Sequence, residues 1–405
     1  MQARNGIRWR IVWILFGSTA INYINRQTFS LLAPVISSEL HFSHEDLSRV
    51  FGAFQLTYAW TWLFGGLLLD LIGARIGLAL AVIWWSIASM VTGLAHSVAS
   101  FSLFRSLLGI GEGLNWPGAS KVVAEWFPAR ERGLAVAIFD SGSSIGAAIA
   151  ALTIPILALA VGWRHAFVFS GILGIPWLVL WWINYRPHQP DQAANQQPFA
   201  VAIRRLWRDR NAWGIVFGRS LTDPMWWFYV FWLPQYLSDA RGFSLKQIAA
   251  FAWIPFVAAD LGNFTGGWIS GLLIRRGIPV IRARKWICVV TCAPMLAGIP
   301  AVLVHNPYAA LLLICVALWG YAAWSTMGLT FPSDLFHSNV VGTVTGISGF
   351  AAGMMGTAVT LIVGRLVDKF SYLPAFVFAS MLPMLATIAV LALIRDIAPT
   401  PGRST

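Results

Sequence analysis

Long uninterrupted apolar blocks, separated by short polar or basic connections, run through the chain from end to end. Crossing the hydrocarbon core of a bilayer as a helix takes about 20 apolar residues. Ile11–Leu32, Val50–Leu69, Leu78–Ala95, Leu103–Ala124, Leu134–Val161 and His165–Trp182 each have about that length. So do Trp213–Leu237, Ile248–Ile274, Trp286–Val304, Tyr308–Phe331, Thr343–Val367 and Leu373–Ile394. The pattern therefore predicts twelve transmembrane helices. The blocks lack the strict apolar–polar alternation of a membrane β-barrel, so the expected fold is all-α integral membrane. A soluble protein with buried core helices is the alternative, and composition weighs against it. Apolar residues make up 58% and charged residues 11%, against roughly 25% charged in soluble domains. The first block is too long for a secretory leader and has no small-residue cleavage site, so it is expected to stay in the mature protein.

The longest polar interruption, Asn184–Asn211, carries Pro187, Pro190, Pro198 and a Gln/Asn-rich stretch. It divides the spans six and six and reads as a linker. The expected domains are an N-terminal six-helix bundle at 1–183, a cytoplasmic linker at 184–211 and a C-terminal six-helix bundle at 212–405. The halves repeat weakly: Gly65-Gly66 recurs as Gly266-Gly267, and Glu125-Trp126-Phe127 as Asp334-Leu335-Phe336, with Gly133 and Gly342 at the same offset. Paired repeats imply a binding site between them near mid-membrane and alternating access by rocking of the bundles.

Charge then fixes an orientation. The net charge of +12 would suit nucleic acid if it were spread over a surface. It is instead concentrated in Arg4/Arg8/Arg10, Arg130/Arg132, Arg204/Arg205/Arg208/Arg210 and Arg275/Arg276/Arg282/Arg284/Lys285, all on one side by span counting. The positive-inside rule puts that side, and both termini, in the cytoplasm. The three cysteines lie in spans, and Cys288 and Cys292 share a helix face with no further ligand, which reads as packing.

After the second span comes Gly66-Leu67-Leu68-Leu69-Asp70-Leu71-Ile72-Gly73-Ala74-Arg75. Gly66 permits close helix approach, Gly73 a tight turn, and Asp70 can face a helix N-terminus or pair with an arginine. With Arg75 these are the candidate gating residues. In the second half Gly271 stands where the acid would be, so a second latch is either absent or uses Arg275 and Arg276 differently.

Ionisable groups at membrane depth cost about 2.5–3.5 kcal/mol on insertion scales and so mark function. They include Arg26, Arg105, Glu112, Asp140, Arg219, Asp223, Asp260 and Arg365. Arg26 offers a permanent planar fork for a carboxylate, or a structural partner for Glu112 or Asp140. Arg105 and Glu112 are seven apart and share a helix face, flanked by Gly109, Gly111 and Gly113. A buried carboxylate near an arginine suits a group that gains and loses a proton, or a static ion pair. Asp140 sits in a Ser/Gly-rich stretch with Ser143 and Gly146 that serves substrate hydroxyls or helix packing equally. Pro224 and Pro234 are expected to interrupt the seventh span around Trp226 and Trp227, whose rings can stack on a ligand or belong to an interfacial belt. Tyr58, Ser325 and Thr326 complete the residues expected to face substrate, and Tyr321 and Trp324 lie beside the last two.

The Gly66–Arg75 run resembles the cytoplasmic signature of the major facilitator superfamily. Asn22–Arg26 with Gln27-Thr28, Arg105–Glu112, Glu125–Pro128 with Arg130-Glu131-Arg132, and Phe139–Ile145 resemble its anion:cation symporter family. Thr222-Asp223-Pro224 with the Trp226-Trp227 pair, and Ile254–Phe256 through Asn263, are most similar to hexuronate-transporter-like members. The resemblance implies proton-coupled import of a sugar acid, with Arg26 and Tyr23 at the substrate and Glu112 in coupling, assisted by Arg105 and Asp140. Two positions depart from the galactonate-type members: Asn25 replaces an aspartate, and Ser143 replaces a substrate-touching glutamine.

The function expected is therefore secondary active import of an organic anion, a hexuronate or related sugar acid, by proton symport in a bacterial inner membrane. The expected partners are the anion, protons and lipid, with no nucleic acid, no cofactor, no metal and a functional monomer. Another carboxylate, aromatic or dicarboxylic, or a non-transporting ligand sensor are the alternatives. No nucleophile–base pair, metal cluster or phosphate loop points to an enzyme.

Overall fold

The computed structural model describes residues 2–127, 129–186, 208–336 and 338–395. Helices and turns account for all their regular structure. The first half contributes α1 (Gln2–Leu40), α2 (His44–Ile72), α3 (Ala74–Thr92), α4 (Val98–Glu112) and α5 (Asn115–Trp126). It continues with α6 (Ala129–Val161), α7 (Trp163–Ile172) and α8 (Gly174–Asn184). The second half contributes α9 (Arg210–Asp239), α10 (Leu245–Phe251), α11 (Ile254–Arg275) and α12 (Val280–Met295). Then follow α13 (Gly298–Leu303), α14 (Pro307–Leu335), α15 (Ser338–Lys369) and α16 (Tyr372–Leu393).

Eight runs among the described residues are long and apolar enough to cross a membrane. Three of them join neighbours: α7 with α8, α10 with α11, and α12 with α13. The rods α1, α2, α4 with α5, and α9 lie outside that apolar set. Three of these carry Arg26, Arg105, Glu112, Arg219 or Asp223. The eight runs and these four rods make the expected twelve.

Local sequence explains the helix starts. Ser43 caps α2 and Asp46 returns the favour to the Ser43 backbone, a reciprocal capping box. Ser97 with Ser100 does the same for α4, and Ser244 with Gln247 for α10. Asn306 caps α14, with Pro307 in its first turn where a missing N–H costs nothing. Gly73 turns from α2 to α3 at φ +79°, a backbone state open to glycine, as the motif predicts.

Two compact units organise the contacts. One holds α1–α8 together with Trp227–Val257 and Thr357–Tyr372; the other holds α9 up to Trp226, Ala258–Gly356 and α16 from Leu373. The segment 187–207, most of the expected linker, lies outside the described residues. In the first unit α6 packs on α1 through Gly142 and Gly146, where an added Cβ would meet the backbone of Phe16 and Ala20. Gly146 thus does the packing work that competed with substrate contact. In the second unit Gly262 and Gly266 bring α11 against Trp319 and Ala323 of α14.

The burial pattern departs from that of a soluble protein, with large apolar side chains exposed and a polar cluster set within a mostly apolar core. Trp13, Trp60, Trp84, Phe264, Trp268 and Leu312 are exposed, while Asn22, Asn25, Arg26, Gln55, Arg105, Glu112 and Asn115 are buried. Exposed apolar side chains are matched to lipid, and the buried polar cluster to a path or site.

Against expectation, α9 is continuous through Pro224 and Pro234. The proline ring removes an intrahelical donor and leaves a carbonyl four residues earlier. For Pro234 that carbonyl is Val230 O, and the Ser30 hydroxyl of α1 donates to it at 2.7 Å, with Phe231 O at 2.9 Å. A neighbouring helix restores what proline deletes, so the helix need not break.

Candidate transport site

Helix α1 presents Ser18, Asn22 and Arg26 at four-residue intervals, one stripe on one face. The stripe meets the interruption between α4 and α5. Glu112 ends α4 and Asn115 begins α5, so the regular helical ladder is interrupted there. Asn22 Nδ2 reaches Glu112 O at 3.5 Å, Ser18 Oγ donates to Asn115 Oδ1 at 2.9 Å, and Asn115 Nδ2 donates to Thr19 Oγ1 at 3.1 Å.

At the centre of this network Arg26 Nε donates to Glu112 Oε2 at 3.0 Å, and Arg26 Nη2 to Asn22 Oδ1 at 3.0 Å. Both partners of the ion pair are buried, with side-chain exposures of 1% and 0%. Four rings enclose the guanidinium: Tyr23 at 4.5 Å, Tyr58 at 4.6 Å, Phe54 at 5.1 Å and Trp227 at 5.3 Å from its carbon. Cation–π attraction offsets part of the desolvation of a buried cation. The three glycines around Glu112 do what their spacing suggests. Gly109 and Gly113 seat α4 against Phe54, Tyr58 and Thr61 of α2, and Gly111 seats it against Trp84 and Trp85 of α3.

Arg105 stands on the same face, and its Nη2 donates to Arg26 O at 3.3 Å. Its guanidinium lies over the Phe54 ring at 4.6 Å, so one phenyl ring is shared by two arginines. Arg105 Nε and Nη1, Glu112 Oε1 and both polar atoms of Asn25 are buried without a hydrogen-bond partner among the described residues. Buried polar atoms left unpaired cost about 1–3 kcal/mol each, and such atoms in a native fold call for a functional account. Asp140 is held differently: Trp116 Nε1 donates to its Oδ1 at 2.9 Å, and the Trp116 ring meets Tyr23 edge-on at 5.9 Å. Ser143 is half-buried on the same helix.

In the second unit Trp226 stacks on Tyr321 at 5.7 Å, and Thr326 Oγ1 pairs with Asn263 Oδ1 at 3.0 Å. Ser325 is half-buried beside them. Arg219 pairs with Asp223 one turn along α9 at 3.0 Å and with Ser348 Oγ at 3.1 Å. The structure thus brings Tyr23, Arg26, Tyr58, Arg105, Glu112 and Trp227 together. Trp226, Ser325 and Thr326 belong to the other unit. Phe54 and Trp116 were missed by sequence reasoning. Phe54 sits four residues before Tyr58 on α2, and that helical spacing was the available signal.

Of the gating residues, the surroundings of Gly66 and the side chain of Asp70 lie outside what is described. Arg75 donates to Trp182 O at 3.2 Å and lies 4.5 Å over its ring. In the second half, among the described residues, the charged contact involves Arg284 rather than Arg275 or Arg276: it pairs with Asp334 at 3.1 Å and donates to Ser270 Oγ at 2.8 Å. The repeated motifs end alike, since Phe127 closes α5 at φ −115°, ψ 134° and Phe336 closes α14 at φ −120°, ψ 154°.

An apolar helical exterior around buried polar and charged networks defines a polytopic membrane transporter. The sequence model of the Major Facilitator Superfamily matches residues 15–360, and the chain belongs to that family. Among characterised relatives, the hexuronate transporter of Escherichia coli K12 is 31% identical over 98% of this chain and 96% of its own. The galacturonate transporter of Dickeya chrysanthemi is 30% identical over 76% of this chain and 94% of its own. The D-galactonate transporter of E. coli O6:H1 is 26% identical over 96% of both chains. Among solved structures, a bacterial homologue of the lysosomal transporter Spinster superposes with a TM-score of 0.78 at 17% identity, covering 97% of this chain and 99% of that one. A D-xylose–proton symporter superposes at 0.76 with 16% identity, covering 96% and 98%. Both share the fold.

Proposed function

We infer that this transporter imports a sugar acid, a hexuronate or close relative, by proton symport across a bacterial inner membrane, working as a monomer with both termini in the cytoplasm. The single observation behind the reading is the buried Arg26–Glu112 pair inside a ring of aromatics. The names of the relatives at 31%, 30% and 26% identity support the substrate class.

The pair supplies a coupling rule. While Glu112 is ionised it occupies the Arg26 fork. A proton on Glu112 removes the competing charge and frees the guanidinium for a substrate carboxylate, which it can bind in bidentate fashion. A carrier holding proton and anion together leaves Arg26 neutralised, and so does a carrier holding neither. A carrier with one ligand only leaves Arg26 without a carboxylate, or sets two carboxylates in competition for it, a costly state. Arg105 holds the Arg26 backbone, and the rings of Tyr23, Tyr58 and Trp227 present flat apolar faces to a sugar ring. Asp140 and Ser143, with Trp226, Ser325 and Thr326, are proposed as further substrate contacts. Gly66, Asp70, Gly73 and Arg75 are proposed to gate the cytoplasmic end.

The test is uptake by purified transporter in proteoliposomes against a panel of labelled sugar acids, aromatic acids and dicarboxylates, with and without an imposed pH gradient. Accumulation of a hexuronate that collapses with the gradient is expected. Accumulation of only a non-sugar carboxylate would reassign the substrate, and accumulation indifferent to pH would remove the proton. Reporter tags at Gln196 and at the C-terminus should both read as cytoplasmic.

A further inference from the structure

A second cluster of titratable groups lies far along the same helices from Arg26, at the end where α1 turns into α2. His44, the first residue of α2, is held between two carboxylates. Its Nε2 lies 2.8 Å from Asp239 Oδ2 at the end of α9, and its Nδ1 lies 2.7 Å from Asp368 Oδ1 near the end of α15. The cluster continues outward. Tyr372 OH of α16 donates to Asp239 at 3.0 Å, and Gln235 Nε2 donates to the same carboxylate at 2.9 Å. Asp368 also accepts the backbone N–H groups of His44 at 3.0 Å and Glu45 at 2.7 Å, so it serves the open start of α2. The imidazole lies against the rings of Trp232 and Tyr372.

The geometry specifies a protonation state. An ionised carboxylate can only accept, and a neutral imidazole carries one N–H and one lone pair. With an acceptor at hydrogen-bond distance from each ring nitrogen, both contacts are satisfied only by the doubly protonated ring. A neutral His44 would set a nitrogen lone pair against a carboxylate oxygen.

We propose that His44, with Asp239 and Asp368, is a second proton-binding site of the transporter, and that its imidazolium latches this end of the molecule shut. Placing this end outside the cytoplasm rests on the orientation proposed above. The latch joins the first half of the chain, through α2, to three helices of the second half. Opening at this end for substrate entry parts these helices, and doing so while His44 is protonated strips a cation from two anions at once. The latch thus closes the loaded carrier on the acidic side and is easier to open once its proton has left.

The other charges near the cluster are mixed in sign and mostly taken up by one another. On α2, Glu45 and Asp46 face Arg49, and Arg365 of α15 reaches Glu45 at 3.4 Å. Lys369 ends α15, Arg241 beyond α9 turns to Tyr236, and Glu39 of α1 is occupied by Arg164. His44 and Asp239 lie outside the apolar spans that begin at Val50 and end at Leu237. Burial opposes charging of His44, but Asp239 and Asp368 outweigh it and hold its pKa above the ordinary histidine value. Burial likewise pushes Asp239 up, and hydrogen bonds from His44, Gln235 and Tyr372 outweigh it and hold the carboxyl below its usual range. The latch is therefore at full strength below the ordinary histidine pKa of about 6.5 and above that depressed carboxyl value. It is lost as pH rises through the raised pKa of His44.

The test needs no substrate, so its outcome is independent of which anion is carried. Spin labels are placed at Ser38→Cys and Ala240→Cys in the full-length transporter in lipid nanodiscs, and their separation is measured by pulsed electron resonance from pH 5.5 to 8.5. The expected result is a short distance at acid pH and a growing longer-distance population as pH rises. His44→Gln should abolish that pH response, His44→Lys should keep the distance short throughout, and Glu112→Gln should leave the response in place. A distance that ignores pH in the parent protein would overturn the proposal. So would a pH response that survives His44→Gln or disappears with Glu112→Gln alone.

Discussion

Two buried arginine–carboxylate pairs, each 3.0 Å long, sit in the two units of this protein, and they are built on opposite plans. Arg26 and Glu112 come from different helices, α1 and α4, and 86 residues separate them. Arg219 and Asp223 are one turn apart on α9 and move with that helix as a unit. The first pair is wrapped in four aromatic rings and leaves Glu112 Oε1 without a partner; the second is steadied by the Ser348 hydroxyl. An ion pair within one helix keeps its partner when helices shift. An ion pair between helices reports on their arrangement, and a proton or a ligand that competes for it can change that arrangement. On the function proposed above, coupling falls to Arg26–Glu112, and Arg219–Asp223 takes a standing structural role.

The largest expected effect follows from removing titration at the inter-helix pair. Glu112→Gln keeps size and hydrogen bonding but cannot ionise. Accumulation driven by a pH gradient should be lost, while counterflow exchange persists, because exchange moves the loaded carrier without net proton movement. Continued concentrative uptake by this variant would move coupling to Asp140 or Asp223, and Asp140→Asn is expected to do less. Next comes Arg26→Lys, which keeps charge but loses the planar fork. Substrate binding, followed by calorimetry or tryptophan fluorescence, should weaken at least about tenfold, or roughly 1.4 kcal/mol. Normal affinity there would make Arg26 purely structural and erase the contrast with Arg219.

Asp223→Asn should reduce uptake by less than about tenfold, since Arg219 keeps Ser348 and an amide acceptor one turn away. A loss as deep as that of Glu112→Gln would show that the pair within α9 also takes part in coupling. The smallest effect is expected from Ser30→Ala. It strips the donor from Val230 O, an unmet carbonyl worth about 1–3 kcal/mol. Thermal unfolding in detergent should shift down by a few degrees while transport specificity is kept.

The rods of the fold were legible because lipid imposes a crude rule: a long apolar run must become a helix. Glu112 and Arg26 were legible for the converse reason, as charges where charge is expensive. What the sequence withheld were partners. Whether Arg26 met Glu112 or Asp140 turns on helix rotation, and the structure pairs Arg26 with Glu112 and gives Asp140 to Trp116. The proline signal in α9 was misleading, because the Ser30 hydroxyl that restores the lost hydrogen bond lies on a helix 200 residues away. Arg284 was hidden among five basic residues, and its contacts with Asp334 and Ser270 distinguish it from Arg275 and Arg276 among the described residues.

Asp368 carries a consequence for how the chain is made. Its carboxylate accepts two N–H groups in the first turn of α2, yet it lies 324 residues beyond His44. During synthesis α2 enters the membrane with only the Ser43–Asp46 box to finish its start, and its completing acceptor has still to be translated. The first helix pair to be inserted is thus among the last places to reach its mature hydrogen bonding. A ribosome-bound chain stopped before Asp368 should exchange the amide protons of His44 and Glu45 with solvent, and the finished protein should protect them.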